Sequence, residues 1–546
     1  MTKKKKGIGF NKKTMKYDWT PFFPEDRIPR KEQIYAINFA LKTFLEDNKK
    51  FCILELPTGV GKSYIATTIS GYLNSLDCCN ASYVLTTQII LQDQYKKEFP
   101  DYGNVSAKGN YRCNKFNDAN CAEVKWFHDY GGLEQCDECP YKIAKDEFSN
   151  CDISITNTNF FMCNLQYNEQ FITNRNLLIV DEAHKLEEDI IKYKGVDIAF
   201  NDLSKEHGLT KELWIKEDNN DTYFWLNNFL HTWISDKIAK YKDIIEKINP
   251  DLGVSTNSVL FKTTKKLDFL DKLISQINRV NEKYSNDRWV IDTKHKEKTI
   301  SIKPLYAYDF ANEVMFRKAK FVLLMSGTIL NSEHYSKSIG ITSSNYNAMS
   351  VDSPFDVEKR KIYLIDSGSM SQKNIDKTLP RLINNIKKII KLHEGQRGII
   401  HTSSHKLAQM IYDEIKSNRL IIASDLNNNR NDMLQMHSDS DDTILLSPSL
   451  TEGVDLKDDL SRFQIIAKIP FPYLGDKYTS IKMKKIANWY SYQTAKTLIQ
   501  SYGRSVRNSE DFATTYILDS DADWFIKRNK NMFPKFFLEA LEIKKI

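Results

Sequence analysis

Apolar positions along the chain alternate between short continuous runs and stretches at helical spacing. Ile34, Ile37, Leu41 and Leu45 share one face of a helix predicted over residues 31–49. The run Phe51-Cys52-Ile53-Leu54-Glu55-Leu56 then reads as a buried strand ending at Pro57-Thr58-Gly59, and a helical pattern begins at Lys62. Further buried strands are predicted at 81–85, 177–180 and 321–325, and again at 398–400, 443–446, 463–466 and 515–518. Runs that are apolar on both faces and separated by helical segments form parallel sheets covered by helices. The pattern predicts an α/β protein with two parallel-sheet domains divided near Ser350.

Two stretches break this grammar. About 90 residues separate the second and third strands of the first domain, and another insertion covers 195–305. The latter places Lys, Asp, Trp and Phe at helical spacing and closes on a predicted hairpin, Trp289-Val290-Ile291 with Thr299-Ile300-Ser301-Ile302. Insertions of this size in an α/β core usually carry function.

The balance of 41 % apolar and 27 % charged residues over 546 positions is that of an ordinary globular protein of several domains. No apolar run reaches the length of a membrane span, and no apolar stretch follows the basic run Lys3 to Lys6. A cytoplasmic location is expected. Lys3 to Lys6 with Lys12 and Lys13 read as a solvated tail, and the net charge of +7 permits a phosphate-binding groove without requiring one. Nine cysteines do not suggest a disulfide scaffold in a chain this large, yet six of them fall between Cys113 and Cys163.

The first candidate chemistry lies between strand and helix at Pro57-Thr58-Gly59-Val60-Gly61-Lys62-Ser63. Glycines let backbone N–H groups close on phosphates, and the new helix presents its positive end to them. Lys62 is placed to reach the β- and γ-phosphates of ATP, and the Ser63 hydroxyl to ligate magnesium (Mg2+). Leu56 stands where the strict motif has its first glycine. Asp181-Glu182-Ala183-His184 follows the strand at 177–180, where Asp181 would hold the magnesium and Glu182 would orient and deprotonate the attacking water. Gln500-Ser501-Tyr502-Gly503-Arg504-Ser505-Val506-Arg507 places Arg504 and Arg507 on one side of a helical turn, as candidate arginine fingers.

The four thiols Cys113, Cys121, Cys136 and Cys139 form a second candidate site, with Pro140 after the last. By number and softness they suit zinc as well as an iron–sulfur cluster, and composition alone favours zinc. Cys151 and Cys163 are reserve candidates, whereas Cys52, Cys78 and Cys79 read as core or surface thiols.

Taken together, these residues resemble the DinG/XPD type of superfamily 2 DNA helicase over nearly the whole chain. Pro29-Arg30 with Gln33 is similar to the adenine-reading element of that family. Thr86-Thr87-Gln88 with Leu91 and Gln94 resembles motif Ia, and Asp181 to His184 its DEAH box. Ser326-Gly327-Thr328 resembles motif III, with glycine where alanine is commoner. In the second domain His401-Thr402-Ser403-Ser404 resembles motif IV, and Thr451-Glu452-Gly453-Val454-Asp455 motif V. Ile469-Pro470-Phe471-Pro472 is a favoured phrase of the subfamily, and the stretch from Gln500 resembles motif VI.

The resemblance implies two RecA-like domains, residues 1–99 with 151–194 and 306–350, and residues 351–546. An iron–sulfur domain at 100–150 and an arch-like helical insertion at 195–305 would interrupt the first. ATP and magnesium would sit in the cleft, contacted also by Arg30, Gln33, Glu452 and Asp455. The position of the four cysteines turns the preference from zinc to a 4Fe-4S cluster, and Tyr111 with Arg112 and Trp126 with Lys125 become candidates to stack on bases. The implied activity is ATP-driven 5′→3′ movement on single-stranded DNA and unwinding of forked DNA by a monomer. RNA–DNA hybrids as substrate, and a translocase or remodeller that separates no strands, stay open. Only about 30 residues precede the motor core, which leaves little length for a nuclease domain.

Overall fold

The computed structural model describes residues 16–57, 59–76, 81–87, 89–116, 119–124, 138–210, 219–247, 259–294, 297–422, 430–447, 458–503 and 511–545. Helix α1 (Lys31–Leu45) leads into strand β1 (Phe51–Glu55), and α2 (Lys62–Ser75) into β2 (Ser82–Thr86). Then come α3 (Ile89–Glu98), β3 (Gly103–Asn104), α4 (Pro140–Asn150), β4 (Ile153–Asn157), β5 (Arg175–Val180) and α5 (Leu186–Lys194). The second insertion contributes β6 (Val196–Ala199), α6 (His231–Glu246), α7 (Val259–Lys283), β7 (Trp289–Lys294) and β8 (Thr299–Pro304). β9 (Ala319–Ser326) and β10 (Tyr346–Ser350) complete the first domain.

Its sheet is parallel throughout and runs β10-β1-β9-β5-β2-β4-β3. The continuous apolar runs have a direct cause. Phe51, Ile53, Leu178 and Val180 join the core on one face, while Cys52, Leu54, Leu177 and Ile179 join the core on the other. Full burial of each such aliphatic side chain contributes about 1.5–3 kcal/mol.

The second domain repeats the arrangement with β11 (Ile362–Leu364), β12 (Gly398–His401), β13 (Leu420–Ile422), β14 (Ile444–Ser447), β15 (Phe463–Ile466), β16 (Thr514–Ile517) and β17 (Leu541–Ile543). The order is β13-β14-β12-β15-β16-β11-β17, again parallel. Helices α8 (Lys477–Lys485) and α9 (Trp489–Tyr502) face the first domain. The Tyr492 hydroxyl donates to the Ile329 carbonyl at 2.8 Å, and the Tyr478 hydroxyl to that of Pro304 at 2.9 Å.

The expected α/β class with two parallel sheets therefore holds, with differences in detail. The helix expected over 31–49 ends at Leu45, because Asn48 takes a left-handed conformation that turns the chain into β1. Its buried face is Ala36, Ile37, Ala40, Leu41 and Phe44, with Ile34 half-buried. The predicted hairpin forms as β7 and β8, and β6 adds to it in an antiparallel sheet ordered β6-β8-β7.

The two insertions pack on each other. Cys113, Ala119 and Val124 share an apolar cluster with Ile245, Leu260, Phe261 and Leu267, and Lys265 pairs with Glu123 at 3.1 Å. Among the described residues no helix is long and apolar enough to cross a membrane.

Candidate nucleotide and nucleic-acid site

In a parallel sheet every strand ends at the same edge, and the order β1-β9-β5 brings three loops together there. β1 runs into the Pro57 loop, β9 ends at Ser326 and β5 at Asp181; the Leu56 N–H donates to the Ser326 carbonyl at 2.8 Å. Gly59 and Gly61 adopt φ of 80° and 85°, which suits glycine because it lacks a Cβ. Val60 is fully buried and Lys62 opens α2. Thr58 lies outside the described residues.

Arg30 and Gln33 brace this loop from α1. Arg30 Nη1 donates to the Gly59 carbonyl at 2.7 Å and Gln33 Nε2 to that of Val60 at 2.9 Å. Gln33 Oε1 accepts from the Arg30 N–H at 2.8 Å and so caps the start of α1, while its Nε2 holds the loop.

Lys62 Nζ lies 3.2 Å from Glu182 Oε1, although 119 residues of chain separate them. Glu182 is held at φ 51°, a left-handed conformation that costs a non-glycine residue about 1–2 kcal/mol. Its Oε2 lies 3.2 Å from His184 Nδ1, which is 2.7 Å from Ser326 Oγ. Ser326 Oγ accepts from the Thr328 N–H at 3.1 Å, and Gln500 Nε2 on α9 donates to Thr328 Oγ1 at 3.4 Å. A line of polar contacts thus runs from the phosphate loop of one domain into the other.

Asp181 is buried beside this line. Its Oδ1 accepts from the Glu182 N–H at 2.9 Å and its Oδ2 from the Tyr95 hydroxyl at 3.1 Å. Burial pushes its carboxyl up to about 6, against the pull of Lys62. Burial also acts on Glu182, but Lys62 and His184 together hold that carboxyl well below its usual range. A buried carboxyl disfavoured as an anion is a group that a bound cation stabilises, and the glycine loop with Lys62 suits phosphates. The site fits magnesium–ATP on those grounds. The Ser63 hydroxyl donates to Glu98 Oε2 at 3.0 Å in this conformation.

Tyr95, Glu98 and the post-Asp181 residues Glu187 and Glu188 were not singled out by any motif. Glu187 pairs with Lys482 at 2.6 Å and Glu188 with Lys496 at 2.7 Å, both across the domain boundary. Arg504, Arg507, Glu452 and Asp455 lie outside the described residues. In motif Ia Gln88 does too, while Thr86 is buried at the end of β2 and Gln94 is exposed on α3. His401 is buried at the end of β12, and the Ile469 N–H donates to Asp519 Oδ2 at 3.1 Å.

Around the cysteines, the Cys113 N–H donates to the Ala119 carbonyl at 2.9 Å and the Cys121 N–H to that of Tyr111 at 2.8 Å, on either side of an antiparallel bridge between Arg112 and Asn120. Cys139 caps α4, with Pro140 at its first position. The Cys121 thiol is pushed up to about 12, by burial first and then by the adjacent Cys139 and Cys113. A thiol raised by burial and by its neighbours in this way is one a metal would relieve. Cys136 lies outside the described residues, and among those described no set of three or more His, Cys, Asp or Glu is gathered as for a metal.

Of the reserve thiols, Cys151 lies 3.9 Å from the Asp101 carbonyl and Cys163 packs beside the first domain's core. Tyr111 packs edge-on against Tyr141 at 5.5 Å, while Arg112 is exposed. Trp126 and Lys125 lie outside the described residues.

A phosphate loop and an acidic strand end facing a second parallel-sheet domain define the two-domain RecA-like helicase fold. Residues 27–210 match the family model "Type III restriction enzyme, res subunit", and 386–539 match "Helicase C-terminal domain". A probable ATP-dependent helicase of Methanocaldococcus jannaschii is 22 % identical over 92 % of this chain and 93 % of its own. The ATP-dependent DNA helicase DinG of Photobacterium profundum is 21 % identical over 90 % of this chain and 93 % of its own. A solved XPD helicase superposes with TM-score 0.63 at 15 % identity, covering 95 % of this chain and 99 % of that one. That last likeness carries the fold. With the two domain matches and the relatives, it supports an ATP-dependent helicase of superfamily 2, similar to the XPD and DinG type.

Proposed function

We propose that the chain is an ATP-dependent DNA helicase that moves 5′→3′ on single-stranded DNA and opens duplex ahead of it. The observation that carries this reading is the polar line from Lys62 through Glu182, His184, Ser326 and Thr328 to Gln500. It gives ATP chemistry in one domain a contact through which to move the other. Lys62 would hold the β- and γ-phosphates, Asp181 and Ser63 the magnesium, and Glu182 would take the proton of the attacking water. Arg504 and Arg507 would meet the charge developing on the γ-phosphate, with Glu452 and Asp455 completing the pocket. DNA as substrate and the polarity rest on the likeness to DinG and XPD.

Cys113, Cys121, Cys139 and Cys136, the last outside the described residues, are assigned to a 4Fe-4S cluster that holds the first insertion together. Beside these cysteines, a cavity of about 710 Å³ is lined by Lys96, Tyr102, Tyr111 and Asn114 together with Glu138 and Glu147; its aromatic faces and amides suit an unpaired base, while the two carboxylates disfavour a phosphate there.

The test is ATP-dependent unwinding of duplexes carrying either a 5′ or a 3′ single-stranded tail, with protein purified without oxygen. Opening of the 5′-tailed duplex alone is expected. Strand-stimulated ATP hydrolysis with neither duplex opened would replace this reading by that of a translocase. Replacing Cys136 by serine is expected to abolish unwinding and lower iron and sulfide content, while the two parallel-sheet domains keep their folded circular-dichroism signal. Full unwinding by that variant would overturn the cluster assignment.

A further inference from the structure

Helix α3 touches both groups assigned to the metal, and it does so from one face. Tyr95 and Glu98 are three residues apart, hence on the same side of the helix. The Tyr95 hydroxyl donates to Asp181 Oδ2 at 3.1 Å, and the Ser63 hydroxyl donates to Glu98 Oε2 at 3.0 Å. We propose that Tyr95 and Glu98 are positioning residues of the magnesium site. Tyr95 fixes Asp181 in the orientation that receives the metal, and Glu98 occupies the Ser63 hydroxyl until metal–nucleotide takes it. The inference rests on the assignment of Asp181 and Ser63 given above and extends it to residues no motif marks.

The two contacts act in opposite senses. Asp181 has one donor on each oxygen, the Glu182 N–H on Oδ1 and Tyr95 on Oδ2. A carboxylate has about four lone-pair sites, so both oxygens keep capacity for a cation while their plane is fixed. Tyr95 is buried and its ring lies tilted at 34° to that of Phe99, at 6.0 Å between centroids. Phenylalanine would fill the same space, so the hydroxyl is the part that bears on the site.

Glu98 is exposed, and no packing demand holds it on Ser63. It also takes a hydrogen bond from Tyr64, so two hydroxyls of the first turn of α2 converge on this one carboxylate. The Ser63 hydroxyl gives its one hydrogen to Glu98 and keeps its lone pairs for a metal. Drawing that oxygen toward a metal held at Asp181 stretches the hydrogen bond to Glu98, and Glu98 opposes the move. α3 starts at Ile89, two positions after Thr87, so the proposed strand-contacting stretch adjoins the helix that carries Tyr95 and Glu98.

The experiment titrates magnesium into the full-length protein with a fluorescent ATP analogue, repeats the binding in EDTA, and measures bound Mn2+ by electron paramagnetic resonance. Tyr95→Phe is expected to raise the magnesium needed for half-maximal binding about tenfold, as loss of a ligand's outer partner does, and to leave binding in EDTA unchanged. Glu98→Gln, which removes the competing charge, is expected to lower that concentration about threefold. Thermal melting that matches the wild type shows that the Tyr95 effect is not unfolding, and the surface position of Glu98 keeps the second variant informative in any case. Wild-type magnesium dependence in both variants, or equal losses with and without EDTA, would overturn the proposal. A wild-type protein that binds no nucleotide at all would instead overturn the assignment of the site itself.

Discussion

Replacing Glu182 by glutamine is expected to cut ATP hydrolysis by about 10²- to 10⁴-fold while leaving ATP bound, because a general base supplies a factor of that size. The geometry makes the two effects separable. Glutamine keeps the length of the side chain and an oxygen for His184, so the contact on toward Ser326 survives. What it lacks is the charge that faces Lys62 at 3.2 Å. Lys62 is engaged by Glu182 and must be drawn from it to reach phosphates. With a neutral partner that cost falls, and nucleotide affinity is expected to equal or exceed the native value. Steady-state hydrolysis with and without single-stranded DNA, beside filter binding of ATP, reads both quantities. Hydrolysis within about tenfold of the native rate would place proton transfer on another group.

The parts of this site that were legible in the sequence are those whose meaning is local. A strand, a glycine-rich turn and a helix at 51–75 announce phosphate binding by themselves, and an acidic pair closing a strand at 181–182 announces its partner. Sheet order then does what spacing cannot show, bringing Lys62 and Glu182 together. Ser63 shows the limit of local reading. Its residue type fits a metal ligand, yet its hydroxyl is turned to Glu98, a residue that is unremarkable in the sequence. Gln33 is similar: a motif assigns it to adenine, and in the folded chain its amide nitrogen holds the loop while its oxygen caps α1 at the Arg30 N–H.

What escaped was either short or non-local. β3, β11, β13 and β17 have two or three residues each, too few for periodicity to register. β10 is half-exposed at the sheet's edge, so its Tyr346-Asn347-Ala348-Met349-Ser350 lacks an apolar run. Tyr95 sits on a helix whose neighbours are Gln, Asp and Lys, and nothing nearby marks it. Its role depends on a carboxylate 86 positions away. Polar residues of this kind acquire function only when the sheet brings distant strands to a common edge.

The largest stability effect is expected at a contact of the same non-local kind. Glu187→Ala should destabilise the folded chain by about 3–5 kcal/mol, since it strands the Lys482 ammonium in a buried position without its partner. The pair is 2.6 Å apart with side chains only 8 % and 3 % exposed, and Lys482 also lies 5.0 Å from the Trp489 ring and 5.5 Å from that of Tyr478. Glu187 belongs to the first turn of α5, just after His184, whereas Lys482 belongs to α8 of the second domain. The cost therefore falls on the contact between domains, and thermal unfolding should lose cooperativity as well as midpoint. Replacing both residues by methionine removes the two charges together and is expected to recover most of the midpoint, because a buried ion pair exchanged for apolar packing is often neutral. DNA-stimulated hydrolysis is not expected to recover with it. An apolar contact lets the domains slide, whereas the ion pair ties the turn after Asp181 and Glu182 to one position of α8. Recovery of stability and stimulation together would reduce the pair to a scaffold.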